Sequence, residues 1–189
     1  MQDNTMFKTL LTIAALIDLS VNALPQKIIL LQGAENTVDS SNLLELTFVG
    51  KERAAALPYL LLSDPNFFSS FPKALITVKS EDNKNIFIEF LKPFSELINT
   101  DIQSQNSLDD VQSVASYVLT SNEFNNQNIL IVWPNENMEN LIKNLKVDEP
   151  FKNWPKDVYD RVFVITYDKN GNGSLQDLPQ KLLINDSSQ

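Results

Sequence analysis

Lys27-Ile28-Ile29-Leu30-Leu31-Gln32-Gly33 (KIILLQG, residues 27–33) decides how the rest of the chain reads. Four apolar residues in a row, without alternation, predict a strand buried on both faces and therefore covered by helices. Gln32-Gly33 stops it. Just past the carboxyl end of such a strand is where α/β proteins turn the chain and place binding or catalytic groups. The residues delivered to that edge here are Leu31, an alkyl chain, and Gln32, a neutral amide. Neither is a nucleophile or a charge.

Three later runs have the same character: Ala74–Val78 (ALITV), Asn128–Trp133 (NILIVW) and Arg161–Tyr167 (RVFVITY). Helical patterns separate them. Leu46 to Leu62 places Val49, Leu57, Leu60 and Leu61 on one face, with a kink or break expected at Pro58. Asn36 to Asn42, before it, reads as a polar turn. Asn85 to Ile98 is apolar at helical spacing, Ser107-Leu108-Asp109-Asp110 resembles a capping box ahead of Val111 to Val118, and Met138 to Leu145 is a short helix. The turn DKNGNG folds the last strand back on Ser174 to Leu183 as a hairpin. Strands alternating with helices, then a hairpin, predict a three-layer α/β/α sandwich with a mixed, mostly parallel sheet. Residues 24–189 form one such domain.

Composition bounds the chemistry. The 189 residues carry a net charge of −9, with neither cysteine nor histidine. The charge argues against nucleic acid and anionic lipid as partners. Without cysteine there is no thiolate nucleophile or disulfide framework, and without histidine the usual base near neutral pH and the commonest zinc ligand are gone. Carboxylates, Lys, Arg, Ser, Thr and Tyr remain.

At the amino terminus, Lys8 precedes an apolar run from Leu10 to Leu19, and Val21-Asn22-Ala23 offers small residues for cleavage. Residues 1–23 therefore read as a signal peptide, which implies an exported (periplasmic or secreted) protein; translation starts at Met1 or Met6. The run is too short for a stable membrane anchor. Asp18 inside it leaves a buried amphipathic helix as the other reading.

Few motifs carry chemistry. Asp168-Lys169-Asn170-Gly171-Asn172-Gly173 matches the first half of a calcium loop, but its final acid position falls on Pro179, so a hairpin turn accounts for it better. Glu35, Glu136 and Glu139 stand near strand ends, where solvated loop carboxylates are the plainer reading. Trp133, Trp154 and Tyr167 suit the core or its rim. Phe67-Phe68-Ser69-Ser70-Phe71 is either an exposed partner contact or a lid folded onto the core.

Four stretches stand in a fixed order: Leu31-Gln32-Gly33 after the first strand; Leu46-Thr47-Phe48-Val49-Gly50-Lys51-Glu52-Arg53-Ala54 at a helix start; NILIVW running into Pro134-Asn135-Glu136-Asn137; and WPKDVYDRVFVITYDKNGNG with LPQKLL near the end. From about Lys27 to Asp186 this order resembles the histidine phosphatase (phosphoglycerate mutase-like) superfamily. There the first stretch is Arg-His-Gly, whose histidine accepts the phosphate, and the second is Leu-(Ser/Thr)-x-x-Gly-x-x-Arg-Ala, intact here. The third leads to a second catalytic histidine, and the fourth looks like the ending of exported bacterial members.

Measured against that pattern, Gln32 stands at the nucleophile and Leu31 at its arginine. Pro134 or Asn135 stands at the second histidine. Ile86 stands at a phosphate-binding arginine, aligned through Lys84-Asn85-Ile86. The resemblance thus implies a chain that is not an enzyme: an inactive, exported binding or interaction protein. Gln32, Asn85, Asn135 and Glu136 would line a polar pocket for a small neutral ligand or an unknown protein, with no cofactor and no metal. The alternative is a hydrolase of non-histidine mechanism, using Glu35 or Glu136 with a metal or an activated water. A third is a purely structural or secreted interaction protein.

Overall fold

The structure is a computed structural model that describes residues 23–38, 44–79, 85–148, 154–155 and 157–186. The proposed signal peptide and Lys84 lie outside the described residues.

Strand β1 (Lys27–Leu31) occupies the middle of a six-stranded sheet because it can bury both faces: Ile28 to Leu31 are fully buried. It runs parallel to β6 (Asn128–Val132), with Leu31 opposite Val132, and antiparallel to β7 (Arg161–Tyr167), with Ile29 opposite Val164. Beyond β6 come β4 (Ala74–Val78) and β5 (Ile102–Asn106), both parallel, and beyond β7 comes β8 (Gly173–Pro179), antiparallel. The order is β5-β4-β6-β1-β7-β8. All four predicted strands lie in this one sheet.

Helices cover both faces, as the unalternating strands require. Helices α1 (Phe48–Ser63) and α2 (Ile86–Ile98) pack with Ile29, Leu31, Leu75, Leu130 and Val164 on one side. Helices α3 (Val111–Thr120) and α4 (Asn135–Asn144) pack with Ile28, Leu30, Ile76, Ile131 and Phe163 on the other. The result is the expected three-layer sandwich with a mixed sheet.

Several local expectations change. Helix α1 begins at Phe48, not Leu46, because the Thr47 side chain accepts the Gly50 amide at 3.1 Å as an N-cap. It continues through Pro58 without a break. Proline forfeits one backbone bond there, and the burial of Leu57, Pro58 and Leu61 offsets that loss. The stretch read as a turn starts a small antiparallel ribbon, β2 (Asn36–Val38) with β3 (Leu44–Leu46). Strand β5, IQSQN, has no apolar run to announce it, since an edge strand can be polar.

The Asp168 turn resolves as a hairpin. Asp168 Oδ1 accepts the backbone amides of both Asn170 and Asn172, at 2.8 and 2.9 Å, and Gly171 takes a φ of 83°. Phe67 and Phe68 turn inward, at 1% and 4% exposure, while Phe71 stays out, so most of the aromatic loop is a lid on the core. Trp133 and Trp154 are buried, the latter with its ring 4.3 Å from that of Phe163.

Candidate functional site

Two places gather polar groups: the carboxyl edge of the parallel strands, and a groove beside α1. At the edge, the Trp133 amide donates to the Leu31 carbonyl at 2.9 Å, so β1 and β6 end together and Gln32 and Pro134 leave the sheet side by side. Leu31 and Ile86 belong to the apolar core under α1 and α2 and offer nothing to solvent. Gln32 is buried, at 6% exposure. Asn85 is the N-cap of α2. Its Oδ1 accepts the Phe87 and Ile88 amides, and its Nδ2 donates to the Val78 carbonyl at 2.6 Å. Asn135 opens α4 and donates through Nδ2 to the Trp154 carbonyl at 2.7 Å. Both amides brace main chain. Glu136 is exposed beside them.

Over this edge lies Phe87. Gly33 adopts a φ of 113°, and a Cβ added to it would stand 3.1 Å from the Phe87 ring. An aromatic ring thus covers the turn that the sequence marks as the mouth of a pocket.

The second place is built by the intact motif around α1. The amide of Thr47 donates to the Glu35 carbonyl at 2.9 Å, and its hydroxyl donates to the same oxygen at 3.2 Å. Gly50 approaches so closely that a Cβ there would lie 2.1 Å from that carbonyl. One turn on, Arg53 is buried at 2% exposure. Its Nη2 donates to Glu35 Oε1 and to Asp186 Oδ1, both at 2.7 Å, and its Nη1 donates to Gln180 Oε1 at 2.9 Å. Asp186 also accepts the amides of Leu182 and Leu183. One guanidinium therefore ties the loop after β1 and the carboxyl-terminal segment to α1. Burial would lower the Arg53 pKa, but Glu35 and Asp186 outweigh it and hold it above its ordinary value. Burial would likewise raise Asp186, and the bonds from Arg53 and the two amides hold it below the usual 3.8.

Beside this tie runs an open groove of about 1180 Å³, walled by α1 on one side and residues 157–161 and 182–186 on the other. Among the described residues five carboxylates line it, Glu35, Glu52, Asp157, Asp160 and Asp186, against Arg53 and Arg161, which leaves a net −3. Arg53 is neutralised as described, and Arg161 donates to Asp177 at 2.7 Å. Tyr159 stands here too, its hydroxyl accepting from Asn36 Nδ2 at 3.2 Å. Burial, then the negative fields of Asp157, Glu35 and Glu136, push its phenol pKa up. Glu35 and Glu136, two of the three acids singled out from the sequence, thus bear on one phenol. Glu35, however, is engaged with Arg53. Among the described residues no group of three or more acids could hold a metal ion.

Sequence reasoning missed Phe87 as a cover and Gln180 and Asp186 as partners of Arg53. Arg53 itself was visible in the Leu-Thr-x-x-Gly-x-x-Arg-Ala run. Asp186 had no signal, being one polar residue in a polar terminal stretch.

No family profile matches the chain, and no curated protein matches it in sequence. Solved structures do match in fold. The protein histidine phosphatase SixA, complexed with tungstate, superposes with a TM-score of 0.60 at 14% identity, covering 82% of this chain and 97% of that one. A putative phosphohistidine phosphatase SixA from Agrobacterium tumefaciens gives 0.55 at 14%, covering 82% and 99%. A mycobacterial glucosyl-3-phosphoglycerate phosphatase with inorganic phosphate gives 0.53 at 10%, covering 81% and 95%. The chain has the histidine phosphatase fold.

These neighbours also correct the expectation that the chain is not an enzyme. The proteins whose fold it shares are phosphatases, and the fold gives no ground for calling the chain inactive. The lack of histidine removes one nucleophile; it is no evidence against catalysis by other groups.

Proposed function

We propose that this is an exported protein of the histidine phosphatase fold that recognises a cationic partner in the groove beside α1. The observation that carries this is the groove's charge: five carboxylates against two guanidinium groups, both already paired with carboxylates. An anion entering it would meet net repulsion, whereas a cation would be drawn in. At the strand edge, where the fold would present a phosphate, Leu31 and Ile86 are buried alkyl chains and Phe87 rests on Gly33. Export follows from the layout of residues 1–23. Any bond-breaking would use groups other than a phosphohistidine, since the chain has no histidine.

A thermal-shift panel tests the charge preference. Spermidine, inorganic phosphate and tungstate are each titrated to millimolar concentration at low salt. Spermidine should raise Tm by a few degrees, since a ligand at ten times its Kd stabilises by about 1.4 kcal/mol and ~1 kcal/mol shifts a domain of this size by about 2–4 °C. The shift should vanish in Glu52→Gln/Asp157→Asn and fade with added salt. Stabilisation by tungstate or phosphate, with none by spermidine, would overturn the assignment.

A further inference from the structure

Helix α1 has no clean polar face, unlike α2, α3 and α4: Lys51 and Glu52 stand exposed on it among apolar neighbours. Its inner face, Ala54, Leu57 and Leu61, is buried against the sheet. Toward the groove its outer face presents Val49, Ala55, Ala56 and Tyr59 beside Glu52. Tyr59 is 76% exposed and Val49 43%. Across the groove Ile184 is wholly exposed. An apolar strip left open beside charged residues is where a partner can be seated.

From these features we infer that the groove along α1 receives a basic amphipathic helix from a partner protein. The inference rests on the cation-binding assignment above and specifies its occupant. Three features fit that occupant. The groove, at about 1180 Å³, exceeds the ~300–1,000 Å³ usual for small-molecule sites. Its long wall runs along α1 from Val49 to Tyr59, roughly 15 Å or nearly three turns, against which a partner helix can lie. Its apolar strip is bordered by Glu52, Asp157 and Asp160, so an occupant needs alkyl or aromatic anchors flanked by Lys or Arg. Ala55 and Ala56 let a helix backbone come close, and Tyr59 is an anchor of the kind that concentrates binding energy. A second copy of this chain fits poorly, because at net −9 it would meet the acidic groove with like charge.

The test uses the full chain and a fluorescein-labelled 16-residue peptide of Leu and Lys at helical spacing, with a scrambled peptide of the same composition. Anisotropy should give micromolar binding that weakens with salt, at least tenfold weaker binding for the scramble, and a tenfold or greater loss in Tyr59→Ala and in Glu52→Gln/Asp157→Asn. Tyr59 is exposed, so Tyr59→Ala should keep the wild-type melting temperature. Equal binding of ordered and scrambled peptides would overturn the helical occupant while leaving cation recognition standing. Failure of both the peptides and spermidine would sink the two together. Two controls address other occupants. A dimer that Tyr59→Ala converts to monomer would assign the groove to a second copy. A monomer whose Tyr59 resists nitration by tetranitromethane would assign it to the chain's own residues. Either result overturns the inference.

Discussion

Replacing Gly50 with alanine adds one methyl group where the structure has no room for it. The new Cβ would lie 2.1 Å from the Glu35 carbonyl oxygen, and real Cβ contacts do not fall below 3.0 Å, so helix and loop must part by about 0.9 Å. That movement strains or breaks the two bonds from Thr47 to the same oxygen, at 2.9 and 3.2 Å, and draws the Glu35 carboxylate away from Arg53. Overpacking costs about 1–3 kcal/mol, and each lost hydrogen bond about 0.5–1.5 kcal/mol. Alanine returns about 1 kcal/mol through helix propensity. Gly50→Ala should therefore lose about 1–5 kcal/mol, read as a lower urea midpoint at unchanged m-value, with Tm down by roughly 2–20 °C. Coupling is the sharper measurement. If Gly50 works by letting Glu35 reach Arg53, Gly50→Ala and Arg53→Met should cost less together than the sum of the two. A Gly50→Ala protein as stable as wild type, or one strictly additive with Arg53→Met, would refute the close-approach account.

Other outcomes follow from the same geometry. Asp186 is held below 3.8 in the folded protein, so its contribution is fully present above that value and is lost as pH falls through the folded pKa. Asp186→Asn should therefore cost about 3 kcal/mol at pH 7 by urea titration, and the gap to wild type should close below pH 3.8; a gap independent of pH would contradict it. Phe87→Ala should lower stability by about 2–3 kcal/mol, since the half-buried ring fills space between both cores and over Gly33. Intact-mass analysis of protein from its native source should find residues before about Leu24 removed; a chain retaining Met1 or Met6 would end the export proposal.

The strands were legible because burial on both faces leaves runs such as ILL and LIV that admit no other reading. β5 was not, since Ile102 alone of its residues packs against a core and IQSQN has no apolar period. Pro58 misled because propensity counts the lost backbone bond and not the sheet against which the proline packs. At the strand edge the sequence located Gln32, Asn85 and Asn135 but not their uses. Whether an amide faces a ligand or caps a helix depends on which carbonyl stands within reach, as Val78 does for Asn85. The groove was hidden most completely. Its two walls are separated by about a hundred residues, and the tie between them, Arg53 to Asp186, has a sequence signal on one side only.

Strand β1 is synthesised early, yet both its neighbours, β6 and β7, come from the last third of the chain. At ~5–20 residues per second, the first of them leaves the ribosome roughly 5–20 s after β1 does. Throughout that interval Ile28 to Leu31 have no partner strand, and the middle of the sheet cannot close. Such a topology enforces slow, late folding by its own connectivity. The nascent chain stays open for seconds, within reach of a chaperone, without any sequence devoted to delay.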